Sequence, residues 1–392
     1  MLPNSVNPAA VNPATRSGRQ IRILLAMMYY RRHLHEGVAA YCREHHWALD
    51  SLDHSPNLRT SNLWDGIIVL HPELREMRLF FRKGVPVVTL ALDETGHMRT
   101  PCVCQNHQAI GAMGARHLLE RGFRRLLFCG YRDVVSRLRF EGFQREAESQ
   151  GATVKVILLS HRTPRHTGSN GIFGWLSVHL LRESPPFAVM ATHDLLGVTV
   201  MDACQLAGLK IPEQVAVVGV DNEEIVCECA NIPLSSVDNN LFLHGYSAAE
   251  LLGQVISGEK SSAASVVIPP RKVIIRSSSD IIATRDSRLA EILQFIHDHK
   301  NGSDISVKGI GSRFVMSRRS LTDLFNKAGL PAPGRIIHEI RLRQACFLLE
   351  ESNATINEVA KKAGFSSANS FCRFFRNLKG CSPATWRQQV KP

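Results

Sequence analysis

Short apolar runs alternate with helical segments through the first two-thirds of the sequence, and this alternation restricts the fold more than any other feature. Runs such as IRILLAMM (21–28) and GIIVL (66–70) have the character of strands buried on both faces. The predicted strands cover 21–28, 66–70, 85–90, 125–129, 154–159, 187–191 and 215–220, and the predicted helices cover 35–45, 109–121, 140–150, 197–207 and 241–257. This order predicts two parallel α/β lobes with a cleft at the carboxyl ends of their strands.

The strand pattern stops near residue 266. The segment 266–288 (VVIPPRKVIIRSSSDIIATRDSR) combines a proline pair, a short strand and a serine cluster, which indicates a connection between domains. Beyond it, short helices are predicted at 289–299, 306–313, 317–328, 334–349, 356–363, 368–378 and 383–390. The predicted division is a disordered tail (1–20), a two-lobed α/β domain (21–280), a linker (281–288) and an all-α domain (289–392).

Positive charge is concentrated in the helical part. Residues 281–392 carry 18 Lys and Arg against 9 Asp and Glu, whereas the preceding 280 residues carry 29 against 26. A local cationic excess of this kind favours a partner that bears phosphates. A solubilising surface would have the same composition, so charge alone leaves both interpretations open.

Several functional classes find no support in the sequence. No apolar run reaches the roughly 18 residues of a membrane span, and the N-terminus lacks the apolar centre of a signal peptide, so we expect a cytoplasmic protein without membrane contacts. Two Cys-x-Cys pairs occur, at 102/104 and 227/229, but no Cys-x-x-Cys spacing, which favours reduced buried thiols over a metal site. No phosphate loop, Gly-x-Ser-x-Gly elbow or His-Glu-x-x-His motif indicates an enzyme, and no cofactor is expected.

The helical part contains two similar halves, ISVKGIGSRFVMSRRSLTDLFNKAGL (305–330) and TINEVAKKAGFSSANSFCRFFRNLKGCSPATWRQ (355–388). In each half a helix with an apolar inner face is followed by a short turn and a second helix. Ser317 caps the second helix of the first half, and Gly364 makes the turn of the second half. This arrangement is typical of a helix-turn-helix unit, whose second helix enters the DNA major groove.

The last hundred residues resemble the AraC/XylS family of DNA-binding domains. The resemblance is carried by IIHEIRLRQACFLLEES, INEVAKKAGF, FCRFFRNLKGCSPATWR and the spacing among them. It implies two recognition helices presented to successive major grooves on one face of the DNA. The residues that fall on the exposed faces of these two helices are Arg318, Arg319, Thr322, Ala368, Asn369 and Arg373.

The exposed residues of the recognition helices and the basic residues around them have different expected roles. An arginine can donate two hydrogen bonds to guanine and Asn369 can pair with adenine, whereas Ala368 can touch only a thymine methyl group. The residues expected to hold phosphates are Lys361, Lys362, Arg376, Lys379 and Arg387, and the helix cap Ser317 is a further DNA-binding candidate. For each individual charge, a solvated surface position is the alternative.

Residues 21–280 resemble the periplasmic-binding-protein-like sensor domain of LacI-type regulators. The matching stretches are AIGAMGARHLLERGFRRLLFCG, RFEGFQREAESQG, THDLLGVTVMDACQLAGLKIPEQVAVVGVDNEE, PLSSVDNN and IPPRKVIIRSS. The usual N-terminal DNA-binding headpiece of that family is absent, and the AraC-type domain follows the sensor instead. The resemblance therefore implies a type I two-lobed α/β sensor followed by an all-α domain with two helix-turn-helix units.

Polar residues that follow predicted strands are the candidate ligand contacts, because sugar hydroxyls need directional charged and amide partners. The candidates are Tyr30, Arg32, Asn106, Arg139, Asp194, Asp221 and Asn222. Interlobe or turn hydrogen bonds are the alternative role for Arg139, Asp194 and Asp221. Asn106 stands where LacI-type sensors usually carry Asp, and the loop YYRRH is unusually basic, so either departure can alter the ligand.

Together, the two resemblances imply a transcription regulator that binds duplex DNA and responds to a small sugar, xylose or a related pentose. They further imply a homodimer in the bacterial cytoplasm, associated with the nucleoid, that contacts RNA polymerase and activates sugar-catabolism genes. Three alternatives stay open at this point. They are a phosphorylated or acidic sugar as effector, a sugar receptor without a role in gene regulation, and an enzyme built on an α/β scaffold.

Overall fold

The computed structural model describes residues 20–27, 29–53, 64–70, 84–92, 101–160, 163, 171–259, 265–284, 286–299, 305–328, 330–352, 354–365 and 367–390. The chain forms two compact units, Met1–Ser279 and Asp280–Pro392. The predicted disordered tail, apart from Gln20, lies outside the described residues. Among the helices in the described ranges, none has both the length and the apolar character required to cross a bilayer.

The first unit contains two six-stranded sheets. The first sheet is wholly parallel in the order β11-β5-β4-β3-β1-β2, with strands β1 (Arg22–Met27), β2 (Ala48–Asp53), β3 (Gly66–Leu70), β4 (Val87–Thr89), β5 (Cys102–Gln105) and β11 (Ser265–Ile268). The second has the order β12-β10-β9-β8-β6-β7, with strands β6 (Arg125–Tyr131), β7 (Thr153–Leu159), β8 (Phe187–Ala191), β9 (Val215–Val220), β10 (Ser235–Asp238) and β12 (Lys272–Ile274). In this second sheet β12 pairs antiparallel with β10, and the other strand pairs are parallel. Each sheet with its helices forms one lobe, and the chain crosses between the lobes after β5, β10 and β11.

Helices cover the faces of both sheets, as the alternating pattern predicts. They are α1 (Arg32–Glu44), α2 (His107–Glu120), α3 (Val134–Ser149), α4 (Ile172–Leu180), α5 (Asp194–Leu206), α6 (Glu224–Cys229) and α7 (Leu241–Ile256). Helices α2 and α3 cross so closely that any side chain at Gly142 would collide with the carbonyl oxygen of Gln108. This close approach fixes α3, which carries Arg139, against α2.

Several strands escape the sequence pattern because they are short or polar. Strand β10 (SSVD) is buried, yet Ser235 and Ser236 give it no apolar signature, and β5 spans four residues. Strands β11 and β12 lie inside or beside the segment 266–288, which the sequence suggested as a connection. They complete the edges of the two sheets, so the first part of that segment belongs to the α/β unit.

The second unit is all-helical in its described residues. Its helices are α8 (Ser287–Asp298), α9 (Val307–Arg313), α10 (Arg318–Lys327), α11 (Pro333–Glu351), α12 (Ile356–Lys362), α13 (Ala368–Lys379) and α14 (Pro383–Val390). One apolar core joins α8, α9 and α10 to the first half of α11, and another joins the second half of α11 to α12, α13 and α14. The predicted fold class, a two-lobed α/β domain followed by paired helix-turn-helix units, is confirmed.

Candidate functional site

A buried guanidinium connects the two lobes where their strands end. Arg139 on α3 donates through Nη1 to the carbonyl oxygen of Thr192, which directly follows β8 in the second lobe. Its Nη2 donates to Oε1 of Gln105, the last residue of β5 in the first lobe, at 3.0 Å. Burial lowers the pKa of the Arg139 guanidinium, and the carboxylate of Asp221, 3.7 Å away, acts in the opposite direction.

Asp221 is held in the same space by an unusual backbone. It directly follows β9 with a φ of 105°, and Asn222 after it has a φ of 53°. A positive φ is costly for residues that carry a side chain, and such strain tends to collect at functional sites. The Asp221 carboxylate accepts a hydrogen bond from Nδ2 of Asn239 at 2.7 Å. Its direction is therefore fixed by both the turn and a buried amide.

Arg31 reaches this carboxylate from the opposite lobe. It lies in the loop between β1 and α1, and its Nη2 is 3.1 Å from Oδ2 of Asp221. Its Nη1 is 3.3 Å from Oε1 of Glu223. The Asp221 carboxylate raises the pKa of the Arg31 guanidinium. Two arginines, each anchored in a different element, thus converge on one aspartate.

Asp194 is the second carboxylate buried in this region. It is the first residue of α5 and accepts hydrogen bonds from the backbone N–H of Glu223 at 2.8 Å and from the hydroxyl of Ser236 at 2.6 Å. Burial, reinforced by the negative charge of Asp221, raises the pKa of Asp194. This carboxyl group therefore holds a proton more readily than an exposed aspartate does.

Three buried polar atoms around Asp221 have no hydrogen-bond partner within the described part of the chain. They are Nε of Arg139, a donor, and Oδ1 of Asn222 and of Asn239, both acceptors. Beside them, the rings of Tyr131 and His193 stack with centroids 5.5 Å apart, and burial lowers the pKa of His193 so that its imidazole stays neutral. Unsatisfied donors and acceptors next to a flat aromatic surface suit a polyhydroxylated ligand.

The structure brings some of the predicted ligand residues together and separates others. Those that share the cleft are Arg139, Asp194, Asp221 and Asn222. Tyr30 is 56% exposed, with its ring edge-on to His35. Arg32 pairs with Glu36 on the surface of α1, and Asn106 accepts from the N–H of Ala109 as the N-cap of α2. The contacts seen for Arg32 and Asn106 lie within or at the start of their own helices, and a ligand contact of either residue stays a prediction.

Sequence reasoning missed Arg31, Glu223 and Gln105. Arg31 is adjacent to the predicted Arg32, but residue order alone does not show which of two neighbouring arginines turns towards the cleft. Gln105 ends a strand too short to be recognised, so its position at a strand end was hidden. Glu223 lies two residues after Asp221, within the same strand-end loop, and that proximity was the one available signal.

The first helix-turn-helix unit consists of α9 and α10. Its turn contains Val315, which has a φ of 51° and is 88% exposed. Ser317 caps α10 by accepting from the N–H of Ser320 at 3.0 Å. Arg318 and Arg319 then project from the first turn of α10 as exposed side chains, while Leu321 and Phe325 are buried in the core. Thr322 is half-buried, and its hydroxyl donates to the carbonyl of Arg318 at 2.9 Å.

The second unit of this kind consists of α12 and α13. Thr355 and Glu358 form a reciprocal capping box at the start of α12, and Gly364 makes the turn with a φ of 82°. Phe371 and Phe375 anchor α13 in the second core. The exposed side chains at the predicted positions are Lys361, Lys362, Asn369, Arg373, Arg376 and Lys379. The two units therefore present exposed basic and amide groups from the second helix of each pair.

Three predicted positions near the carboxyl end have contacts within the protein. Ala368 packs half-buried against the second core, which leaves little of its surface for a base. The ammonium group of Lys379 lies 4.5 Å from the ring centroid of Trp386. Arg387 donates through Nη2 to the carbonyl oxygen of Ala354 at 2.6 Å, so it ties α14 to the start of the second unit.

Helix α11 holds the two helix-turn-helix units together. Its residues Ile336 and Ile337 enter the first core, and Ala345 and Leu349 enter the second. Between them, Arg341 donates to the carbonyl oxygen of Ile305 at 2.8 Å and lies over the ring of Phe365 in the other unit, 5.5 Å from its centroid. A shared helix with contacts to both cores suits a fixed spacing between α10 and α13.

Metal-binding clusters of three or more His, Cys, Asp or Glu side chains do not occur among the residues that the structure describes. The cysteines form no disulfide bonds; Cys102, Cys104 and Cys227 are buried, whereas Cys229, which was expected to be buried too, is exposed.

Comparison with known proteins finds similar domains for both parts of the chain. Residues 115–279 match the periplasmic binding protein-like domain family, and residues 310–389 match a helix-turn-helix domain family. The xylose operon regulatory protein of Haemophilus influenzae is 24% identical over 391 residues, covering 91% of this chain and 95% of the relative. Its namesake in Escherichia coli K12 is 24% identical over 278 residues, with 69% of each protein covered.

Solved structures share the fold. The structure described as xylose-binding transcription activator xylR aligns over 95% of this chain and 99% of its own, with a TM-score of 0.64 and 22% identity. The complex of the transcriptional regulator CelR with cellobiose aligns over 67% of this chain and 85% of its own, with a TM-score of 0.54 and 22% identity. This chain is therefore similar over most of its length to xylose operon regulatory proteins, with a match to a periplasmic binding protein-like domain at residues 115–279 and to a helix-turn-helix domain at residues 310–389.

Proposed function

We propose that this protein is a sequence-specific DNA-binding transcription regulator controlled by a small sugar. The observation that carries the proposal is the pair of helix-turn-helix units joined by α11, each presenting exposed polar and basic residues from its second helix. A single such helix reads a few base pairs, so two at a fixed spacing can read neighbouring major grooves. The excess of 18 Lys and Arg over 9 Asp and Glu in residues 281–392 supports binding to phosphates.

Within this function, Arg318, Arg319, Asn369 and Arg373 are the base readers. They are exposed, and the N-cap serines of their helices leave the first helical turns free to enter a groove. Lys361, Lys362, Arg376 and Lys379 hold phosphates, because they lie at or near the ends of α12 and α13. Ser317, at the N-cap of α10, lies next to the sugar-phosphate backbone of the DNA. Thr322 and Ala368 make smaller contributions to DNA binding.

The cleft between the lobes is the proposed effector site. Its carboxylates can accept hydrogen bonds from sugar hydroxyls, its guanidinium groups can donate to sugar oxygens, and Tyr131 offers a face for C–H groups. The unpaired Nε of Arg139 and Oδ1 of Asn222 supply one donor and one acceptor that the folded protein leaves free within its described residues. Because relatives are named for xylose, we propose xylose or a related pentose as the effector.

Effector binding acts by favouring one arrangement of the lobes. A ligand shifts a conformational balance only by its different affinities for the two states. We propose that the chain works as a homodimer in the cytoplasm, on the nucleoid, and that lobe closure changes how its DNA-binding domains engage the operator and RNA polymerase. In this proposal the protein activates genes for sugar catabolism and catalyses no reaction.

The test uses the full chain in two steps. Selection from a random duplex library should yield one enriched sequence with two recognition elements about one helical turn apart, near 10 base pairs. Calorimetric titration with pentoses and hexoses should then identify the effector, whose addition should change affinity for the selected duplex. Failure to enrich any duplex would contradict DNA reading. Effector binding with unchanged DNA affinity would instead support a sugar receptor without a regulatory role.

A further inference from the structure

One side chain of α11 contacts both helix-turn-helix units. Arg341 lies between the residues of α11 that enter the first core, such as Ile337, and those that enter the second, such as Ala345. Its Nη2 donates to the carbonyl oxygen of Ile305 at 2.8 Å, and its guanidinium carbon lies 5.5 Å from the centroid of the Phe365 ring. A single half-buried guanidinium group therefore joins the two units near the middle of their shared helix.

The two contacts of Arg341 lie beside the helices that build each unit. Ile305 is buried in the first core and directly precedes the N-cap of α9. Phe365 follows the turn of the second unit, and its ring centroid is 5.3 Å from that of Phe371 and 4.9 Å from that of Phe374, both on α13. One aromatic ring thus separates the guanidinium group from the second recognition helix.

A neighbouring residue on the same face of α11 adds a contact to this helix. His338 lies one turn before Arg341, and its ring meets the ring of Phe374 edge-on with centroids 5.2 Å apart. Each apolar core holds its own unit against α11, but apolar burial has no preferred direction. A hydrogen bond and a cation over an aromatic face are directional. The contacts of Arg341 and His338 therefore restrict rotation of one unit relative to the other about α11.

The chemistry of arginine suits this position. A planar guanidinium group can donate hydrogen bonds in its plane and lie with its face on an aromatic ring. Burial lowers the pKa of Arg341, yet the group stays charged at neutral pH because a guanidinium loses its proton only in strongly basic solution. Partial desolvation strengthens the attraction between the cation and the ring.

We propose that Arg341 is the positioning residue that sets the spacing of the two recognition helices, α10 and α13, and thereby the spacing of the two DNA elements that the protein accepts. This inference rests on the proposed function, because it specifies how the two units read one operator. Arg341 acts without touching DNA, through Ile305 on one side and Phe365 on the other. Its loss widens the range of accepted spacings and leaves the reading of each element intact.

The first experiment compares duplexes that carry the two selected elements at different spacings. One inserted base pair moves the second element by about 3.4 Å and turns it by about 34° around the DNA axis. The wild-type full chain should bind the lengthened duplex at least about tenfold more weakly than the selected one. In Arg341→Met, whose side chain has a similar length but no donor and no charge, this penalty should fall to about threefold or less. On a duplex with a single element, the two proteins should differ by less than about twofold.

Arg288→Met is the matched control. Arg288 also donates to a main-chain carbonyl oxygen, that of Phe314 at 3.1 Å, but this bond lies within the first helix-turn-helix unit and its supporting helix α8. Its loss should leave the spacing penalty at the wild-type value. Partial unfolding of a variant lowers its affinity for all duplexes by the same factor, so the ratio between two spacings separates a positioning role from a loss of stability.

The second experiment needs no DNA. Spin labels on non-natural residues introduced at the exposed positions Asn326 of α10 and Asn377 of α13 report the distance between these helices in the full chain by pulsed electron paramagnetic resonance. The distance distribution should broaden in Arg341→Met and keep its wild-type width in Arg288→Met. Distributions of equal width in the two variants would overturn the positioning role.

The DNA experiment has its own contrary outcomes. They are wild-type binding that tolerates the inserted base pair, an Arg341→Met penalty as large as that of the wild type, and a loss of affinity in Arg341→Met that all duplexes share equally. Failure of the proposed function looks different. There, the wild-type protein enriches no duplex, and the distance measurement still decides whether Arg341 positions the helices.

Discussion

The cleft of the first unit and the reader helices of the second use charged residues in opposite ways. In the cleft, Arg139, Asp194 and Asp221 are buried and hydrogen-bonded, and the pKa of Asp194 is raised by burial. On α10 and α13, Arg319 and Arg373 are exposed, and neither forms an ion pair within the described ranges. Buried and matched charges select a small ligand by direction and distance, whereas exposed and unmatched charges attract a polyanion over a longer range.

Salt concentration should separate the two regions most strongly, through its effect on their binding affinities. Raising the salt concentration from about 50 to about 200 mM should lower affinity for duplex DNA about a thousandfold, because bound phosphates release counterions. Affinity for the effector should change less than about twofold, since the charged side chains of the cleft are buried and paired. Fluorescence anisotropy with a selected duplex measures the affinity for DNA, and calorimetry measures the affinity for the effector. Similar salt dependence for both would remove the contrast.

The second-largest expected effect is that of replacing the buried Arg139. Arg139→Ala should lower the free energy of unfolding of the first unit by about 3–5 kcal/mol, because Asp221 and the carbonyl of Thr192 lose a buried partner. Arg137→Ala on the same helix removes an exposed pair with Glu141 and should cost less than about 0.5 kcal/mol. Hydrogen exchange of β6 and β9 amides measures both. Comparable losses would show that burial does not separate these arginines.

Within the helix-turn-helix units, residues that contact bases and residues that contact phosphates should respond differently to substitution. Arg319→Ala should cost about 1–3 kcal/mol on the selected duplex and little on random duplex, so specificity relaxes. Lys362→Ala should weaken both duplexes to a similar extent and reduce the salt slope by about one. Binding isotherms at several salt concentrations provide the measurement. Equal loss on both duplexes for Arg319→Ala would reassign that residue to the phosphates.

The smallest expected effect concerns strained turns in the second unit. Val315 has a φ of 51° and Gly364 a φ of 82° at the turns of the two helix-turn-helix units. Val315→Gly should stabilise this unit by up to about 1 kcal/mol, because a left-handed conformation is costly for a branched residue. Gly364→Val should destabilise it by at least about 1 kcal/mol for the same reason. Calorimetric unfolding of the full chain compares the two, and effects of the same sign would contradict the backbone argument.

The local pattern of residues was enough to predict the two kinds of domain. Strands such as Phe187–Ala191 and Val215–Val220 are continuous apolar runs because helices bury both faces of a parallel sheet. Helices such as Pro383–Val390 follow from the spacing of their apolar residues. Polar or very short strands such as Ser235–Asp238 gave no comparable signal, since their burial comes from neighbours distant in sequence.

The sequence by itself determined the periodicities, the helix caps and the position of Asp194 and Asp221 at strand ends, because these are properties of neighbouring residues. The tertiary structure decided which of Arg31 and Arg32 enters the cleft and that Gln105 and Thr192 share Arg139. It also decided which buried polar atoms stay unpaired. Those outcomes depend on packing between lobes whose contacting residues are far apart in the chain, and no local pattern encodes the direction of a side chain across such an interface.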